Sequence, residues 1–204
     1  MSFLNMTKQV LAHPIDFYND LQEPGRARIR DGILMIALVI AFRMISLLLS
    51  SILYQQREAF EISFVTEAVS IIVLWLTWSV SNWGVSTIQD GEGRFKEILV
   101  GSAYALAPYA LLIIPISLLT NVMTLQEMPV YVFLTGFLFV WVAFLLIMKV
   151  KIIHDFTLYK LIFILLLTIV GMLIIWFIFI MIYGLVNQAF NFVFGIVKEL
   201  NLRM

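Results

Sequence analysis

Five apolar runs, each about as long as a bilayer is thick, constrain this chain more than any other feature. A helix rises about 1.5 Å per residue, so roughly 20 residues cross about 30 Å of hydrocarbon. The runs fall at Ile33–Tyr54, Phe64–Ser86, Ile98–Thr120, Pro129–Met148 and Leu161–Gly184. Polar or turn-forming stretches bound them, among them Gln55-Gln56-Arg57-Glu58 and Asp90-Gly91-Glu92-Gly93. Of the 204 residues 62% are hydrophobic and only 13% charged, too few charges to keep so much apolar surface in water. The fold expected is an all-α integral membrane protein, a bundle of five transmembrane helices. Residues 1–32 form a cytoplasmic juxtamembrane segment, 33–186 the membrane domain and 187–204 an outer-face tail. The third run is interrupted by Gly101, Pro108 and Pro115. Neighbouring helices can satisfy the carbonyls a proline frees, so a kinked span is expected rather than a re-entrant pair.

Orientation follows from lysine and arginine in the connections. Lys8, Arg26, Arg28, Arg30, Arg94, Lys96, Lys149, Lys151 and Lys160 share one side, nine residues against Arg57, Lys198 and Arg203 on the other. That asymmetry predicts a cytoplasmic N-terminus and an external C-terminus. Thirteen basic and thirteen acidic residues cancel, which gives no reason to expect nucleic acid as a partner. The chain has no cysteine, so thiolate chemistry is excluded. No cleavable signal peptide or lipidation motif is recognisable. Beyond the fifth run, Phe190, Val193, Phe194, Val197 and Leu200 recur at helical spacing, which predicts a short amphipathic helix lying on lipid or on a partner.

Few side chains invite chemistry. Arg43 falls near the centre of the first run, where a charge costs at least about 2.5–3.5 kcal/mol and needs a partner. Glu67 is the only acid within a run, but lies near the outer end of the second, some ten residues or roughly 15 Å away in depth. Ser79, Ser81, Asn82 and the carbonyls freed by Pro108 or Pro115 therefore compete as partners for Arg43. Trp75 and Trp78 are too deep for an interfacial belt and should pack inside the bundle. Gly101 and Ala105, four apart, permit close helix approach. The Asp90, Glu92, Arg94 stretch lacks the Gly-Lys-Ser/Thr ending of a phosphate loop and is short of ligands for a cation. It reads as a turn capping the third helix, with a charged face for a partner. Asp16 and Tyr18 before the first run, and His154 with Asp155 after the fourth, are the other cytoplasmic contact candidates. No catalytic residue, cofactor or metal site is expected.

The set His13-Pro14, Phe17-Tyr18, Asp90 to Lys96 and Gly101-Ser102-Ala103-Tyr104-Ala105-Leu106-Ala107-Pro108-Tyr109 resembles the Yip family of Ypt-interacting membrane proteins, in its bacterial branch. The resemblance implies five spans, a cytoplasmic N-terminus and residence in the bacterial cytoplasmic membrane. Eukaryotic relatives work with small GTPases through a longer N-terminal region. With about thirty residues ahead of the first run, a GTPase is not the partner expected here. The bacterial relatives imply a non-enzymatic accessory or assembly subunit, an ABC-type transporter being the complex. The alternative is a small stand-alone transporter or channel with Arg43 as an intramembrane anion contact.

Overall fold

The computed structural model describes residues 2–55 and 62–203, and every regular element among them is helical. The loop carrying Arg57, and the side chains of Val197, Leu200 and Arg203, lie outside the described residues. Two short helices, α1 (Phe3–Ala12) and α2 (Pro14–Leu21), precede α3 (Ile29–Leu49), α4 (Phe64–Ile88), α5 (Phe95–Tyr104), α6 (Ala107–Leu119), α7 (Met128–Ile153) and α8 (Leu158–Arg203). Five of the resulting segments are long and apolar enough to cross a membrane: α3, α4, α5 with α6, α7 with its preceding turn, and α8. The five-span bundle read from hydropathy is the observed fold.

The proline-rich third span breaks where its sequence requires. Pro108 has no N–H to offer the carbonyl of Tyr104, and its ring crowds that carbonyl. The chain leaves helical geometry at Ala105 and Leu106, and the Leu106 amide drops back to the Ala103 carbonyl at 3.1 Å. Pro115 sits inside α6 without ending it. The first half of this span is the axis of the molecule: every residue of α5 from Glu97 to Tyr104 is buried. Helices α3, α4 and α7 pack around it. Gly101 makes one of these approaches possible, since a Cβ there would lie 3.1 Å from Lys149 Cγ and 3.2 Å from Ile153 Cδ1.

The N-terminal segment does more than anchor. Pro14 opens α2 at the position where its missing N–H costs nothing. Met6, Val10, Phe17, Tyr18 and Leu21 bury one side of the helix pair in the main core, beside Tyr104, Leu145 and Ile153. Gln22 Nε2 then donates to the Ile152 carbonyl at 3.2 Å. The segment is thus a helical pair folded onto the end of the bundle where α7 terminates.

Three boundaries depart from the hydropathy reading. Helix α3 stops at Leu49 rather than continuing to Tyr54, because Ser50 and Ser51 turn extended and Ser51 N–H is taken by Thr120 Oγ1 at 2.9 Å. Helix α7 runs on to Ile153, past the expected end at Met148, which carries Lys149 into the bundle. Helix α8 continues unbroken for 46 residues, so the separate amphipathic tail is instead its extension. Phe192 and Ile196 widen the expected apolar stripe, while Asn187, Gln188 and Asn191 keep the opposite face polar, so the extension is itself amphipathic. Helices α4 and α7 end alike: Asp90 (φ 57) and Asp155 (φ 49) take the left-handed position. The next amides, of Gly91 and Phe156, close on the carbonyls of Ser86 and Lys151 at 2.8 and 3.2 Å, the Schellman arrangement in which a short polar residue tolerates positive φ.

Candidate functional site

Arg43 and Lys149 lie toward opposite ends of the bundle interior, each with partners set by where its helix ends. At one end Arg43 Nε lies 3.0 Å from Glu67 Oε2. The expected depth gap of about ten residues does not exist, because α3 ends at Leu49 and places Arg43 only about 9 Å from its terminus. Tyr109, just past the break in the third span, lies beside the same guanidinium. The serines weighed as partners are occupied otherwise: Ser79 Oγ donates to the Trp75 carbonyl at 2.8 Å and Ser81 Oγ to the Thr168 carbonyl at 2.6 Å.

At the other end lies Lys149, counted from the sequence as a loop anchor and here 0% exposed. Its ammonium donates to Asn82 Oδ1 at 2.6 Å and to Ser102 Oγ at 3.3 Å, and lies 6.0 Å from the ring centre of Trp78. Asn82 Nδ2 is in turn 3.4 Å from both Ser86 Oγ and Thr168 Oγ1. One lysine thereby ties α4, α5, α7 and α8 together. Asn82 is polar and intramembrane as expected, but its cation is Lys149 and not Arg43. Removing Lys149 from the nine loop cations leaves eight against three, so the charge asymmetry persists.

Between these two ends, a cavity of about 390 Å³ runs beside α5. Apolar side chains of α3, α4, α6 and α7 form most of its wall, with Arg43, Glu67 and Tyr109 at one end and Ser102 at the other. Trp75 and Trp78 both line it, as the reading of interior tryptophans anticipated. Trp75 Nε1 is satisfied by the Leu99 carbonyl at 3.0 Å. A mainly apolar space with a few convergent polar groups is the usual form of a small-molecule site.

The remaining candidates separate by exposure. Asp16, Asp90, Glu92, Arg94 and Asp155 are exposed near the α1–α2 end. Glu97 accepts the Arg94 amide at 3.0 Å and so caps α5, as the turn reading anticipated. Tyr18 and His154, by contrast, are buried and unavailable for docking. Burial pushes the Tyr18 hydroxyl above its ordinary value. His154 stacks on Phe156 with ring centres 5.2 Å apart, and its Nδ1 accepts the Gly93 amide at 3.3 Å. Burial first, and the nearby Lys149 charge second, push His154 down to about 4. Its role is to clamp the α4–α5 turn onto the end of α7. His154 and Asp155 thus do not act together; one is a packing element and the other a helix terminator.

The broken third span, the buried Tyr104 against Phe17, and the turn held by His154 all lie within one matched stretch. The profile of the Yip1 domain matches residues 8–181. The chain belongs to the Yip1 domain family. Comparison with curated proteins and with solved structures gives no match. Both charged clusters and the cavity lie inside the Yip1 domain, whereas α8 extends beyond it.

Proposed function

We propose that this chain is a non-enzymatic accessory or assembly subunit of a larger complex in the bacterial cytoplasmic membrane, an ABC-type transporter. The observation that supports this reading is the far end of α8. Its apolar stretch, Leu158–Ile196, has 39 residues, about 58 Å of helix against roughly 30 Å of hydrocarbon. Even a tilt of about 40° takes up only some 39 Å of that length. After Trp176, whose Nε1 donates to Thr77 Oγ1 at 3.3 Å, the helix leaves α4 and every described side chain is exposed. At about 100° per residue, Phe190, Phe192, Val193, Phe194 and Ile196 cover a little more than half of its circumference, and Asn187, Gln188, Asn191 and Lys198 face the other way. The helix overshoots a single bilayer crossing, and its wide apolar face with a polar edge suits docking on a second membrane protein.

A photo-crosslinking residue at position 190 tests this in native membranes, with position 162 at the start of α8 as the lipid-facing control. Adducts to the membrane subunit of a transporter at 190 and none at 162 are expected. Lipid adducts alone at both positions refute the reading. Purification in mild detergent should bring down the same subunit, and recovery of this chain by itself at several expression levels counts against it. The alternative of a free-standing anion pathway draws no support from Arg43, whose charge Glu67 already meets.

A further inference from the structure

We infer that the cavity between α4 and α7 is a lateral binding site for one acyl chain of a bilayer phospholipid, with the lipid's polar end at Arg43 and Glu67. Its opening is sideways. Helices α4 and α7 are bridged at Lys149 and Asn82, but α4 otherwise packs on α3, α5 and α8 while α7 packs on α2, α5, α6 and, more lightly, α8. Along the gap the wall residues Leu74 and Phe139 are 53% and 61% exposed, which places the mouth of the cavity in the hydrocarbon. Its far end is shut by Ser102 and Trp78, with Lys149 behind them.

Length and polarity both select the occupant. From Glu67 to Trp78 the cavity follows eleven residues of α4, about 16 Å, close to the single-leaflet half of a hydrocarbon core of about 30 Å. Leu74, Trp75, Leu106 and Leu146 offer an apolar channel over that distance. At its polar end Glu67 lies in the first turn of α4, and the end of a span is where the ester groups meet it. There the Arg43–Glu67 pair is neutral in sum but still presents guanidinium and Tyr109 hydroxyl groups as hydrogen-bond donors. Ester carbonyls on a glycerol backbone fit those donors, and the chain below them fits the channel. Among the described residues this end offers a free anion no net positive charge. A soluble ligand would have to enter through lipid.

The tryptophans on the wall supply the test. A protein carrying Trp83→Phe, Trp141→Phe and Trp176→Phe keeps only Trp75 and Trp78. It is reconstituted into vesicles of phosphatidylcholine brominated on the acyl chains, with unbrominated vesicles as reference. Strong quenching is expected, and Ser70→Phe with Leu146→Phe should relieve it by filling the cavity. Quenching that these folded variants leave unchanged overturns the site. In parallel, the unmodified chain is irradiated in vesicles containing phosphatidylcholine with a diazirine-tailed chain, and the labelled residues are mapped. Adducts on Trp78 and Leu146 are expected. Labelling confined to outward residues such as Ile162 and Phe179 overturns the proposal, whether or not the filled variants fold.

Discussion

Replacing Asn82 should harm this protein more than replacing the buried lysine it serves. Lys149 has no carboxylate among its hydrogen-bond partners in the described residues; Asn82 Oδ1 at 2.6 Å and Ser102 Oγ at 3.3 Å are the acceptors. Asn82→Ala removes the shorter of the two and leaves a fully buried ammonium with one distant partner. A hydrogen bond to a charged group contributes about 1.5–3 kcal/mol in water-soluble proteins. Interhelical bonds measured within membranes average nearer 0.6 kcal/mol with a maximum of about 1.7. A loss of about 1–2 kcal/mol is therefore expected, and at about 2–4 °C per kcal/mol for a chain of this size the midpoint falls by roughly 2–8 °C. Lys149→Met loses the same bond, but also removes a charge whose burial in a membrane helix costs about 2.5–3.5 kcal/mol. The thioether keeps the channel between Gly101 and Trp78 filled, so the net change should lie within about 1 kcal/mol of zero. In the Lys149→Met background, Asn82→Ala should then cost less than it does alone. Thermal unfolding in mild detergent, followed by tryptophan emission, measures all four proteins of the cycle. A Lys149→Met protein as unstable as Asn82→Ala refutes the reasoning, because the lysine would then be a net source of stability.

Four other outcomes follow from the geometry. Glu67→Gln leaves Arg43 with Tyr109 and a neutral amide, and should lower stability by about 1–3 kcal/mol, while the swap Arg43→Glu with Glu67→Arg should recover part of it in the same unfolding assay. Gly93→Ala would set a Cβ 2.6 Å from Ile153 Cγ2 and 2.7 Å from His154 Cε1, an overpacking of about 1–3 kcal/mol that His154→Ala should partly relieve. His154 titrates near 4 in the folded chain, below its ordinary 6.5, so the unfolded chain binds the proton more readily. Stability should fall as the pH drops from about 6.5 to about 4, by up to roughly 3 kcal/mol, and His154→Gln should flatten that slope. A cysteine placed between Arg57 and Glu61 should react with an impermeant maleimide in intact cells; protection there would reverse the N-in orientation proposed from the charge asymmetry.

Hydropathy alone located all five spans, because bilayer thickness sets a length that irregular soluble helices rarely meet. The kink of the third span was equally legible, since Pro108 removes a donor wherever it sits in a helix. What the apolar pattern could not show was where each helix stops. Ser50 and Ser51 are mild residues in hydropathy, and α3 ends at Leu49 where Thr120 accepts the Ser51 amide and Asn121 donates to the Leu49 carbonyl. That five-residue error moved Arg43 to mid-membrane on paper and separated it from Glu67. The opposite error at Met148 placed Lys149 in solvent. Its burial depends on Asn82, Ser102 and Trp78, which arrive from 67, 47 and 71 positions away in sequence. One local signal was present, however. Lys149 follows an uninterrupted apolar run at helical spacing and is succeeded by Val150, Ile152 and Ile153, which a strict reading of periodicity would have kept inside the helix.

The same small residues that hide Lys149 also determine where the cavity can open. Gly101, Ser102 and Ala103 make α5 thin enough for α7 to approach it and for the lysine stem to pass between. A second large side chain on α5 at position 101 or 102 would push α7 outward and break the Asn82 contact that closes one end of the cavity. At the other end the break at Ala105 and Leu106 re-aims α6 so that Tyr109 lies beside Arg43, and without it the polar end of the cavity would lose a donor. The two clusters therefore depend on opposite properties of one span, thinness before the break and redirection after it. Swapping the order by moving the proline one turn earlier should disable both clusters together, whereas Pro108→Ala should spare the Lys149 cluster and loosen only Arg43. Cysteine pairs joining α5 to α7 near Gly101 and α3 to α6 near Arg43 report the two ends separately. Simultaneous loss of both crosslinks in Pro108→Ala would show that the ends are not independent and that the break organises the whole bundle.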